Sequence, residues 1–167
     1  QAAFRQASGI KALEKGDTEK AIQKFSDAIG YENRNYQNYQ TAGQAGMEKI
    51  RALIQRAARG ENVQQEFQNA VVAASQFIKT ATDMAPFEPS VWRTQGALYE
   101  LIVPYIDGAQ NGAIANYRKS AELDPSNPSL YVDMGRTGIV FAERIVFAEN
   151  QTKDPGERER LRKLGVL

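Results

Sequence analysis

Residues 74–96 read ASQFIKTATDMAPFEPSVWRTQG, and their spacing decides the fold. Ala74, Ile78 and Ala81 recur at intervals of four and three, which places a large apolar side chain between two small ones on one face of a helix. Pro86 ends that helix, because proline lacks the amide proton and disfavours helical geometry in the residue before it. Eleven residues beyond Ala81 stands Trp92, and four further on Gly96. The segment therefore predicts a helix, a tight break and the start of a second helix.

The same wording occurs twice more. Ala21, Phe25 and Ala28 are followed at the same distances by Tyr39 and Gly43; Ala113, Tyr117 and Ser120 by Tyr131 and Gly135. Gly9 fills the glycine slot of a first unit in which Arg5 replaces the aromatic. Turn signals fall between the helices, at Gly16-Asp17, Ala85-Pro86 and Asp124-Pro125, with Asn33 where the first unit lacks its proline. Repetition of this kind marks a helical array whose small residues let helices approach and whose large residues fill the grooves between them.

Over about residues 2–150 the pattern resembles the tetratricopeptide repeat, a 34-residue helix–turn–helix unit. The resemblance implies an all-α, right-handed superhelical solenoid of about 3.5 repeats in one domain over 1–167. The units fall at about 2–35, 36–88, 89–127 and a partial 128–167.

The repeat glycines step by 34, 53 and 39 residues, so two units are lengthened. The longer insertion keeps helical periodicity: Met47, Ile50, Leu53, Ile54 and Ala57 share one face, as do Val63, Phe67, Ala70, Val71, Ala74 and Ile78. Two long antiparallel helices, about 36–59 and 62–85, are predicted to meet at Gly60-Glu61 and to project past the other repeats. The shorter insertion, around Ile102–Gly112, carries Pro104 and Gly108 and predicts a broken helix end and a wide turn.

Residues 129–149 predict the first helix of a fourth repeat, with Tyr131, Met134, Ile139, Phe141, Ile145, Val146 and Phe147. After Asp154-Pro155-Gly156 only a short charged helix to Leu164 follows. Repeat arrays need polar caps, since an internal repeat presents an apolar side to its neighbour. Neither end reads as capped. The stretches from Trp92 to Tyr117 and from Asn127 to Arg136 are also similar to the C-terminal repeat tails of bacterial O-antigen polymerase- or ligase-like membrane proteins. That likeness implies an envelope or extracytoplasmic setting, a further long helix after Leu167, and transferase chemistry in residues outside this chain. A first residue of Gln1 rather than Met reads as a processed chain or an excerpt.

Composition narrows the function classes. With 21 Lys and Arg against 20 Asp and Glu, a net charge of +1 gives no field for nucleic acid or an anionic membrane. The absence of His and Cys removes imidazole bases, thiol nucleophiles and the usual zinc ligands. No apolar run approaches the ~20 residues of a membrane span. Asp83, Asp107 and Asp124 sit at predicted helix ends and turns, where capping is their ordinary role, and Asp17 is placed to cap the second helix beside Lys20. Gly43, Gly46, Gly96 and Gly135 lack the Lys-Ser/Thr of a phosphate loop and read as close-packing positions. Tyr39, Trp92, Tyr99, Tyr117 and Tyr131 read as core. No catalytic residue, cofactor or metal is expected.

The resemblance puts ligand contacts on the concave face, here Gln6, Gln40, Gln44, Arg93, Glu100 and Arg136, with Ala97 and Val132 beside them. Arg93 and Arg136 suit bidentate recognition of a partner carboxylate, or else are solvated or paired with Glu100 and Asp133. The polar groove lacks the basic clamp of chaperone-binding repeats. Val140, Phe141 and Phe147 are candidates for stacking between solenoid ends, and Asn150-Gln151-Thr152 is a glycosylation triplet in a predicted loop. Two functions follow: a scaffold for a partner protein or peptide, as a module of a larger envelope protein, or a subunit assembling head-to-tail into a filament or ring.

Overall fold

A computed structural model describes residues 2–15, 17–31 and 34–164 of the chain; the side chains of 2–4, 6, 13, 14, 31 and 162–164 lie outside the description. Among the described residues there are eight helices: α1 (Ala2–Glu14), α2 (Thr18–Tyr31), α3 (Tyr36–Ala58), α4 (Gln64–Met84), α5 (Pro89–Ile102), α6 (Ala109–Leu123), α7 (Ser129–Gln151) and α8 (Pro155–Leu164). The predicted turn residue Gly16 and boundary residue Asn33 fall outside the described residues. The helices pack in sequential pairs: α1 on α2, α2 on α3, α3 on α4, α6 on α7 and α7 on α8. No described helix is long and apolar enough to cross a membrane.

The chain divides into two compact units, Gln1–Gln95 and Gly96–Leu167, with the boundary inside α5. In the first, Phe25 is completely buried with Ala21, Ala42 and Ala45, and Ile22, Ile29 and Phe77 close over them. Asp17 does cap α2, its Oδ1 accepting from the Lys20 amide at 3.1 Å. Asn35 caps α3 in the same way through Gln37, at 3.0 Å.

The two long helices form as the periodicity requires. Met47, Ile50 and Leu53 of α3, and Ala70, Ala74 and Ile78 of α4, are buried; Val63 is buried just before α4 begins. Their connection needs a left-handed residue, and Gly60 supplies it at φ +89°. Its amide donates to Ala57 O and that of Glu61 to Arg56 O, at 2.9 and 3.2 Å, so two carbonyls left over at the helix end are satisfied. At 23 residues α3 is about 35 Å long and outruns the 14-residue α2. Arg56 fastens the tip, donating to Glu61 at 2.7 Å and Glu66 at 2.8 Å.

Between α4 and α5 the break falls at Pro86, whose carbonyl accepts from the Trp92 indole at 2.8 Å. In the second unit α5 ends at Ile102, before Pro104, and Gly108 at φ +78° opens α6. Tyr117 is the largest fully buried side chain there, packed with Ala113, Ala121 and Leu130.

Candidate functional site

α7 has two faces of opposite character. It starts after an Asn127 turn, whose side chain accepts from the Ser129 amide at 3.2 Å. It then runs 23 residues with apolar side chains at helical spacing on both sides. The inner face buries Leu130, Asp133, Thr137 and Ile145, with Met134 packed against the Tyr117 cluster.

A polar clasp fixes that inner face. Glu100 on α5 is only 13% exposed, and its Oε2 accepts from Tyr117 Oη on α6 at 2.7 Å and from Arg136 Nη2 on α7 at 3.1 Å. Arg136 Nε donates to the other Glu100 oxygen, and Nη2 also to Asp133 at 2.9 Å. The Thr137 hydroxyl lies 3.0 Å from Asp133 O and 3.3 Å from Glu100 Oε2. Three helices thus share one carboxylate whose lone pairs are met by donors, the condition for burying it without a large penalty. Burial first, and then the hydrogen bond to Glu100, push the Tyr117 phenol well above the ordinary tyrosine range. The Glu100 hydrogen bonds hold the Arg136 guanidinium charged more firmly than usual.

The outer face is bare. Phe147 is 66% exposed and Ile139 62%, and Val132 and Val146 are also more than half exposed. Ile139, Ala142, Glu143, Val146, Phe147 and Asn150 line a shallow, almost wholly apolar groove along it. A row of large exposed apolar side chains on one helix differs from the scattered ones normal to a protein surface.

The sequence-predicted residues divide between the two faces and beyond. Arg136 and Glu100 meet each other in the clasp, the pairing weighed against a partner carboxylate. Gln40 is turned inward: its Nε2 donates to Thr94 Oγ1 at 2.8 Å and Ser90 O at 3.1 Å, tying α3 to α5. Gln44 is exposed, while Arg93 and Ala97 are half-buried; the Gln6 side chain lies outside the described residues. Of the three end-stacking candidates, Phe147 is on the outer face, while Val140 and Phe141 are half-buried. Ile139 and Val146 were legible as helix-face residues and not as exposed ones, because their periodicity is equally that of a core.

Three expectations are corrected. Tyr131, read as core, is 59% exposed, and Gly135, read as a close-packing position, has no atom of another helix near it. Both follow from one cause, that among the described residues of its own unit no helix fills the outer face of α7 at these positions. Asn150 is in the last turn of α7 rather than in a loop, since the Thr152 amide still donates to Ala148 O at 3.1 Å. The acidic residues each have their own partner: Asp83 pairs with Lys79 at 2.6 Å, Asp107 with Arg144, and Asp124 accepts from Ser126 at 2.9 Å.

No protein-family profile and no curated protein sequence matches this chain.

Proposed function

We propose that the chain is a non-catalytic protein-binding module, a right-handed solenoid of tetratricopeptide-like repeats that belongs to a larger bacterial envelope protein. One observation carries the binding role: the outer face of α7, where Val132, Ile139, Val146 and Phe147 are exposed along a groove with little polar lining. The lack of His and Cys supports a role without nucleophilic or general-base chemistry. The sequential pairing of helices and the repeated glycine spacing support the solenoid. The envelope setting rests on the resemblance of the third and fourth repeats alone.

A second reading uses the same face for self-assembly, with α7 of one copy covered by another copy. Exposed Ile10 on α1 supplies an apolar residue at the other end of the sequence. Both readings are tested by placing a photo-crosslinking phenylalanine analogue at Phe147, with Gln55 on α3 as a control site. Adducts to a foreign protein at 147 and not at 55 are expected. A ladder at multiples of the 18.5 kDa chain would select self-assembly. Equal labelling at both sites, or none, would remove α7 as the binding face.

A further inference from the structure

The covered helix α3 shows what the bare helix α7 is built to receive. Gly43 and Gly46 of α3 admit α4 so closely that a Cβ at Gly43 would overlap Ile78 Cγ1, and one at Gly46 would come 2.8 Å from Ala74 Cβ. The later glycine meets the earlier α4 residue, so the helices run antiparallel. The incoming element is a small residue followed four positions later by a large one. Gly9 receives Phe25 and Gly96 receives Tyr117 by the same rule, each large residue standing four beyond an alanine, Ala21 or Ala113.

α7 reproduces the receiving half of this arrangement. With Gly135 set on Gly43, Gly138 falls on Gly46, Ile139 on Met47 and Ala142 on Ile50. The other side matches too. Ala42 and Ala45 of α3 belong to the Phe25 cluster, and their counterpart Met134 packs on the Tyr117 cluster while Thr137 is fully buried. In α3 both sides are covered: Gly43, Gly46, Met47 and Ile50 are all buried. In α7 only one is, for a Cβ at Gly135 or Gly138 meets nothing within 4 Å. The polar α8 packs on α7 without filling either notch.

We infer that the outer face of α7 takes an antiparallel α-helix from a partner protein, which sets a small residue against Gly138 and, four residues later, a branched or aromatic apolar side chain into the notch at Gly135. The inference rests on the reading of α7 as the binding face and names the class of occupant. Such a helix covers Ile139 and Ala142, the counterparts of buried Met47 and Ile50, and removes apolar surface from water.

The probe is a hydrocarbon-stapled peptide copying residues 64–84, the chain's own α4, with the staple on its exposed Gln65 and Asn69 positions. It is titrated against the whole chain labelled for amide NMR. Saturable shifts centred on Gly135, Gly138 and Ile139 are expected, with affinity about tenfold or more weaker for the Ile78→Asp peptide and for the Gly135→Leu chain. Gly135→Leu has open space around it and should leave the unfolding midpoint in place or raise it. No binding at the highest soluble peptide concentration, shifts confined to other helices, or equal affinity for Gly135→Leu would each overturn the inference. In those cases crosslinking from Phe147 still decides whether α7 binds a partner of a different class.

Discussion

α3 and α7 are both 23 residues long, carry their glycines at one spacing and pack one face on the helix before them, yet they end in different surroundings. α3 is covered again by α4, and eight of its residues are buried; after α7 comes the short α8, and four residues of α7 are buried. The difference is not in the helices' own propensity. It lies in whether the next element carries an alanine and a large residue four apart: α4 does, with Ala74 and Ile78, and α8 is dominated by Arg, Glu and Lys. A glycine at a repeat position is thus a tight contact in one helix and an open notch in the other.

The largest expected effect separates the two sides directly. Ile78→Ala, at a fully buried position, should destabilise the chain by about 2–5 kcal/mol through lost burial and a residual cavity. Ile139→Ala, at a position 62% exposed, should stay within about 0.5 kcal/mol. Urea unfolding of both variants measures this, and a comparable loss at Ile139 would break the contrast by showing α7 covered in solution.

Next comes a pair of opposite sign. Gly43→Ala forces a methyl group against Ile78, at a cost of about 1–3 kcal/mol. Gly135→Ala meets nothing and gains about 0.5–1 kcal/mol from the reduced freedom of the unfolded chain. Thermal melts that moved in the same direction for both would remove the distinction between filled and open glycines.

The smallest effect concerns the clasp that holds the inner face of α7. Tyr117→Phe deletes one donor to Glu100 and should cost about 0.5–1.5 kcal/mol at neutral pH. The folded phenol titrates above its ordinary value of 10.0, so on alkaline titration the unfolded state releases its proton first. Stability from this group is therefore complete below pH 10 and declines as pH rises beyond it. Urea midpoints between pH 9 and 11.5 should fall less steeply in Tyr117→Phe, with a residual slope from Tyr105, which burial also raises. Identical slopes would mean that the phenol is not buried against Glu100.

Much of the architecture could be read from spacing. The long pair α3 and α4 and the position of its Gly60 turn follow from apolar periodicity broken by a residue free to adopt positive φ. Pro86 and Pro125 mark two helix ends because proline cannot continue a helix. The exposed face of α7 was only half legible. Phe147 was singled out for stacking between ends, while Ile139 and Val146 looked the same as buried residues such as Met47, since a helix period records which residues share a face and not what faces them. Gln40 and Arg136, read as groove residues, make hydrogen bonds within the chain. The pairing of Arg136 with Glu100 and Asp133 was one of the readings open from the sequence, while the reach of Gln40 to Thr94 on another helix has no local pattern to announce it.

What the sequence by itself determined, then, is the helices, their breaks and the repeated small–large–small code, all set by interactions within a few residues. Only the tertiary structure decided which coded faces are filled. Burial depends on the helix that arrives from elsewhere, and Gly43 and Gly135 are the same residue in the same register until Ile78 packs against one of them and nothing packs against the other.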